Sequence, residues 1–130
     1  MGDLELDLSI AANNTPLLLE QLQKSPHIYW QFAMKYEEAK RAVANQKLEI
    51  KVREATLSRN LRDEKGKALS DAKIERMLFT FDEYCSLHEE LNKRKEIEGK
   101  CSAIVRALEQ RHHIMTTVAS LIKHELRQSI

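Results

Sequence analysis

The sequence predicts an all-α protein, and three observations carry the prediction. Only three glycines and two prolines occur in 130 residues, and Pro16 and Pro26 both fall in the first fifth. From Gln31 to Ile130 no proline forces a break, so long helices are the expected outcome. Along two extended segments, apolar residues recur by threes and fours, the spacing of one helix face. Aromatic residues make up 5%, so buried stripes have to be built from Leu, Ile, Val, Ala and Met. A single pair of long helices has little interior of its own, which favours burial against further copies. The expected architecture is a long helical hairpin with coiled-coil-like arms and a short helical hinge, assembling through helix packing into a homo-oligomer.

The elements follow in order. Residues 1–14 read as an acidic, flexible leader that ends in Asn13 and Asn14. Thr15 before Pro16 is a helix start, with a cap and then proline at the first helical position, and a short helix is expected over 16–24. Ser25 before Pro26 repeats the signal and opens a long helix over 26–61. Its seam runs Phe32, Tyr36, Ala39, Val43, Gln46, Ile50, Arg53, Leu57 and Asn60, a heptad pattern. Residues 62–80 form the hinge, with Gly66 as its only strong turn former and a short helix over 71–78 started by Ser70. Thr80 with Glu83 has the spacing of a capping box and opens the longest helix, 81–128. Its stripe runs Tyr84, Leu87, Leu91, Arg94, Ile97, Cys101, Ile104, Leu108, Arg111, Met115, Val118 and Ile122. Residues 15–130 are thus read as one helical domain. Trp30, Phe32, Tyr36, Val43, Ile104, Leu108, Met115, Val118 and Ile122 are the candidate oligomerisation residues.

Several classes of function find no support. The acidic beginning is neither a secretory signal nor a transit peptide, and no apolar run reaches the roughly 20 residues that span a bilayer. Cys85 and Cys101 are sixteen residues apart, roughly 24 Å on one straight helix, so a disulfide between them is not expected and a reducing cytoplasm is the expected home. His88-Glu89-Glu90-Leu91-Asn92 begins like a zinc-protease helix but has Asn92 where the second histidine has to stand. His113 and His124 share a face without a nearby set of further ligands. Gly66 stands alone between Lys65 and Lys67, so no phosphate-cradling loop exists. Neither a catalytic residue nor a cofactor or metal site is therefore expected, and the protein is read as no enzyme.

The cations are more informative. The net charge is +1, yet the first 23 residues carry Asp3, Glu5, Asp7 and Glu20 and no Lys or Arg. The rest of the chain is therefore basic. Lys47, Lys51, Arg53, Arg59, Arg62, Lys65 and Lys67 crowd into twenty-one residues against four carboxylates. Such a run is either a solvated, salt-bridged helix end or a phosphate-contacting surface repeated around an oligomer. Lys93, Arg94, Lys95 and Lys100 form a second cluster, interleaved with Glu89, Glu90, Glu96 and Glu98. Arg53 falls on the heptad seam, where a charge has to pair, reach outward or line a channel.

Residues 26–126 resemble the phage recombination mediator family (UvsY-like). The resemblance lies in Tyr29-Trp30-Gln31-Phe32, in Lys51-Val52-Arg53 with Leu57, and in Lys65-Gly66-Lys67. It continues in Val105-Arg106-Ala107-Leu108-Glu109-Gln110-Arg111 and in His112-His113-Ile114-Met115. The resemblance implies a helical, non-enzymatic protein that forms a ring-like homo-oligomer of six or more subunits. It implies binding of single-stranded DNA, displacement of a single-strand-binding protein, and loading of a RecA-like recombinase. It also implies that the Lys-x-Arg pair on DNA is Lys51 and Arg53. The segment from Arg59 to Asp71 lacks the aromatic and glycine character of that family's motif. A helical protein-interaction module without nucleic acid, such as a phage inhibitor or an assembly adaptor, is the alternative.

Overall fold

The computed structural model describes residues 7–65 and 69–128, Lys65 by its backbone alone. Among them the protein is all-α, with α1 over Thr15–Lys65, α2 over Asp71–Leu78 and α3 over Asp82–Gln128. None of these helices is long and apolar enough to cross a membrane. The chain divides into two compact units, Met1–Tyr36 with Lys100–Ile130, and Glu37–Gly99.

In the first unit the start of α1 packs antiparallel on the end of α3. Leu18, Cys101, Val105, Leu108 and Met115 are buried there. Two polar bridges cross between the helices: Ser25 Oγ lies 3.0 Å from His112 Nδ1, and the Tyr29 hydroxyl donates to Glu109 Oε1 at 3.0 Å. These contacts lie on both sides of Pro26, which is inside α1. A break at Ser25 is expected from the sequence, and none occurs. Proline costs its own N–H and strains the preceding turn, but packing on α3 before and after it holds the helix line.

The helix starts differ from the sequence expectation in one repeated way. Asn14, not Thr15, caps α1: its Oδ1 accepts from the Leu17 amide at 3.2 Å, and its carbonyl accepts from Leu18 at 2.9 Å. The Thr80 hydroxyl donates backwards to the Met77 carbonyl at 2.6 Å, so it closes α2 and caps nothing. The Phe81 carbonyl accepts the Cys85 amide instead, and Asp82 and Glu83 lie in the positive first turn of α3. Ser70 does cap α2, accepting from the Lys73 amide at 3.2 Å.

Ser9 and Ala11, in the expected leader, are hydrogen-bonded to the helices. Arg111 donates Nε and Nη2 to the Ser9 carbonyl at 3.3 and 3.2 Å, and the Gln21 amide group bonds Ser9 and Ala11. Arg111 is 8% exposed, and this carbonyl is what satisfies its guanidinium. Residues 1–6 lie outside the described residues.

In the second unit the rest of α1 runs antiparallel to the start of α3, with α2 joining them. Its core is Val43, Ile50, Leu57 and Leu61 from α1, Ile74 and Leu78 from α2, and Tyr84 and Leu91 from α3. The seam ends on Leu61 in place of Asn60. A straight helix drifts against a seven-residue repeat, and by that point the drift has moved the buried position by one. Residues 62–65, expected in the hinge, are the last turn of α1.

Candidate nucleic-acid interface

The second half of α1 presents two faces within the second unit. The inner one is apolar and carries Gln46, 1% exposed, whose Nε2 donates to the Leu87 carbonyl at 2.8 Å. The outer one carries Arg41, Ala44, Leu48, Lys51, Val52, Ala55, Arg59 and Arg62, all exposed. At 3.6 residues per turn these eight lie within an arc roughly 100° wide. No Asp or Glu falls in that arc between Arg41 and Arg62, since Glu49 and Glu54 project to other sides. Arg41 stands at one end, Arg59 and Arg62 at the other, and Lys51 at one edge. The middle is apolar, and Leu48 and Val52 are 63% and 61% exposed.

The cations differ in how free they are. Among the described residues Arg41, Lys51 and Arg59 make no ion pair. Arg62 donates Nη2 to Asp71 Oδ1 at 2.6 Å, an exposed pair. The cleft between α1 and α2, lined by Lys51, Glu54, Ser58, Arg62, Asp71 and Glu75, mixes both signs. Lys51 and Arg62 thus belong both to the arc and to this cleft, and Glu54, Asp71 and Glu75 set negative charge along that edge of the arc.

The residues expected from the sequence do not all meet here. Lys51, Arg59 and Arg62 do, and Lys47 is exposed at the margin. Arg53 lies on the opposite flank, where its Nη1 sits 3.7 Å from Glu83 Oε2 at the start of α3. The Lys65 side chain and Lys67 lie outside the described residues. Arg41 is the addition, and sequence reading misses it because it stands six residues before the dense cluster. Only the helical register, carried back two turns from Leu48, brings it to this face. In the second basic cluster Arg94 is structural, donating Nε to Glu90 and Nη1 to the Ala42 carbonyl, both at 3.1 Å.

The candidate oligomerisation residues also separate. Val43, Leu108 and Met115 are 6%, 3% and 0% exposed, buried by the chain's own helices. Phe32, Tyr36, Ile104, Val118 and Ile122 are half-buried, and Trp30 is exposed. Trp30 is thus the most exposed of these nine residues.

Elsewhere the chemistry is sparse. No group of three or more His, Cys, Asp or Glu placed to hold a metal occurs among the described residues. Ser25 and His112 form a hydrogen-bonded pair at a cleft of about 320 Å³ with Tyr29 and Glu109. Both belong to helix interiors. Burial raises the Cys101 thiol above its ordinary range, with Lys35 nearby working in the other direction. Comparison of the chain with protein-family models, with curated proteins and with solved structures gives no match in any of the three.

Proposed function

We propose that this chain is a non-enzymatic recombination mediator. It binds single-stranded DNA as a homo-oligomer and helps load a RecA-like recombinase in place of single-strand-binding protein. The observation that carries the reading is the outer arc of α1: four cations, three of them without an ion pair among the described residues, and no carboxylate in the arc. A few phosphate contacts per subunit bind weakly, and repetition around an assembly multiplies them without new contact types. The resemblance at Lys51-Val52-Arg53 supports the same ligand. Within that motif, Lys51 lies on the arc and Arg53 Nη1 lies 3.7 Å from Glu83 Oε2.

Fluorescence anisotropy with a labelled oligonucleotide tests this. Binding at low salt, weakened by at least about tenfold in Arg41→Ala/Lys51→Ala/Arg59→Ala, is expected. An affinity that this triple variant leaves unchanged contradicts the proposal.

A second reading has an observation of its own. Ala44, Leu48, Lys51, Ala55, Ser58 and Arg62 are spaced by alternating fours and threes, as on a helix-packing seam. On that reading the arc meets a partner helix and the protein is an interaction module. Lys51 and Arg62 on the seam count against it, since a buried charge needs a partner. Retention of one protein and no nucleic acid after nuclease treatment would favour it.

A further inference from the structure

We infer that Leu48 and Val52 contact the bases of the bound strand and make the outer arc of α1 selective for single-stranded over duplex DNA; this rests on the DNA reading above. Phosphate contacts position a nucleic acid but carry little information about it. The four cations alone would therefore hold a duplex as readily as a single strand. What distinguishes the arc is its centre. Ala44, Leu48, Val52 and Ala55 form an uncharged strip one residue wide or two, with Arg41 beyond one end and Arg59 beyond the other. Those two arginines are roughly 27 Å apart along the helix axis.

A helix that reads duplex DNA needs hydrogen-bonding side chains at the base edges, because the base faces are stacked inside. Here the central positions have none. A single strand offers unstacked base faces, and Leu48 and Val52, which have no ring to stack, can cover them by burying apolar surface. Leu48 and Val52 are one turn apart on the same face, so both can cover neighbouring bases while Lys51 and Arg59 hold the backbone. Packing within the chain does not explain them. Each is more than half exposed, whereas Val43, Ile50 and Leu57 on the inner face of the same helix segment are under 8%. The arc is apolar where a solvated helix would be charged.

The test compares oligothymidylate of about 30 nucleotides, an abasic strand of equal length and a duplex of equal length, with the full chain and with Leu48→Ser/Val52→Thr. Circular dichroism confirms that the exposed substitutions leave the helices intact. The full chain is expected to prefer the strand with bases over the abasic strand and the duplex by about tenfold. The variant is expected to lose that preference and to keep the same salt dependence, since its cations are untouched. Salt-dependent binding of equal strength to all three nucleic acids overturns this inference and leaves the DNA reading standing. Absence of binding to any of them overturns both. If the variant changes the mass of the DNA-free protein in light scattering, the strip is a contact between copies, and the inference fails for that reason.

Discussion

Gln46 brings an amide into an apolar seam, and its value to the fold depends on what it leaves behind. Its bond to the Leu87 carbonyl is an addition to a group that α3 already uses in its own ladder. Gln46→Ala is therefore expected to lower stability by about 2 kcal/mol in urea denaturation, mostly through lost volume. Gln46→Leu fills the space and is expected to stay within about 1 kcal/mol of the parent. Tyr29 offers a pH readout. Its bond to Glu109, and the carboxylate's charge, hold the phenol above its ordinary value. A group raised in the folded state stabilises below its unfolded value and loses that contribution as pH climbs through the folded one. Ultraviolet titration should show one phenol moving down in Glu109→Gln, and no change there would show that the bridge does not form. Arg111 and Gln21 together tie down Ser9. Arg111→Met should expose residues 7–13 to protease while the melting of the helices changes little.

At the scale of elements, proline is the instructive residue. Pro26 interrupts the hydrogen bonding of α1 in a segment that packs well on either side. Pro26→Ala should raise the melting temperature, since an interior proline costs about 3 kcal/mol relative to alanine. A lower melting temperature would mean that the helix bends there to make its contacts. The same residue shows what was legible in the sequence. All-helical character followed from the spacing of apolar residues and the scarcity of glycine and proline. The break at Pro26 did not occur because local rules rank proline first, while tertiary packing outweighs them. The caps at Asn14 and Phe81 were displaced by one residue from Thr15 and Thr80. Both threonines stand beside a competing group, the Asn14 side chain in one case and the Met77 carbonyl in the other, that sequence spacing does not reveal.

At the scale of the whole molecule the central matter is charge. A net charge of +1 conceals an arc of α1 without a carboxylate. Sequence density located part of it, through Lys51, Arg59 and Arg62. It also gathered Arg53, which the helical register sends toward Glu83, and passed over Arg41, which the register brings in. Density along the chain is a poor guide to a face, because neighbours two apart point away from each other. The most direct test of the account is the salt dependence of oligonucleotide affinity, measured for the parent chain, for Arg41→Ala/Lys51→Ala/Arg59→Ala, and for Arg53→Ala. Each phosphate contact contributes about 0.7 to the slope of log affinity against log salt for a single strand. A slope shallower by about 2 for each engaged subunit is expected in the triple variant, and a slope near the parent's in Arg53→Ala. Equal slopes for the parent and the triple variant, or a loss confined to Arg53→Ala, would contradict the account.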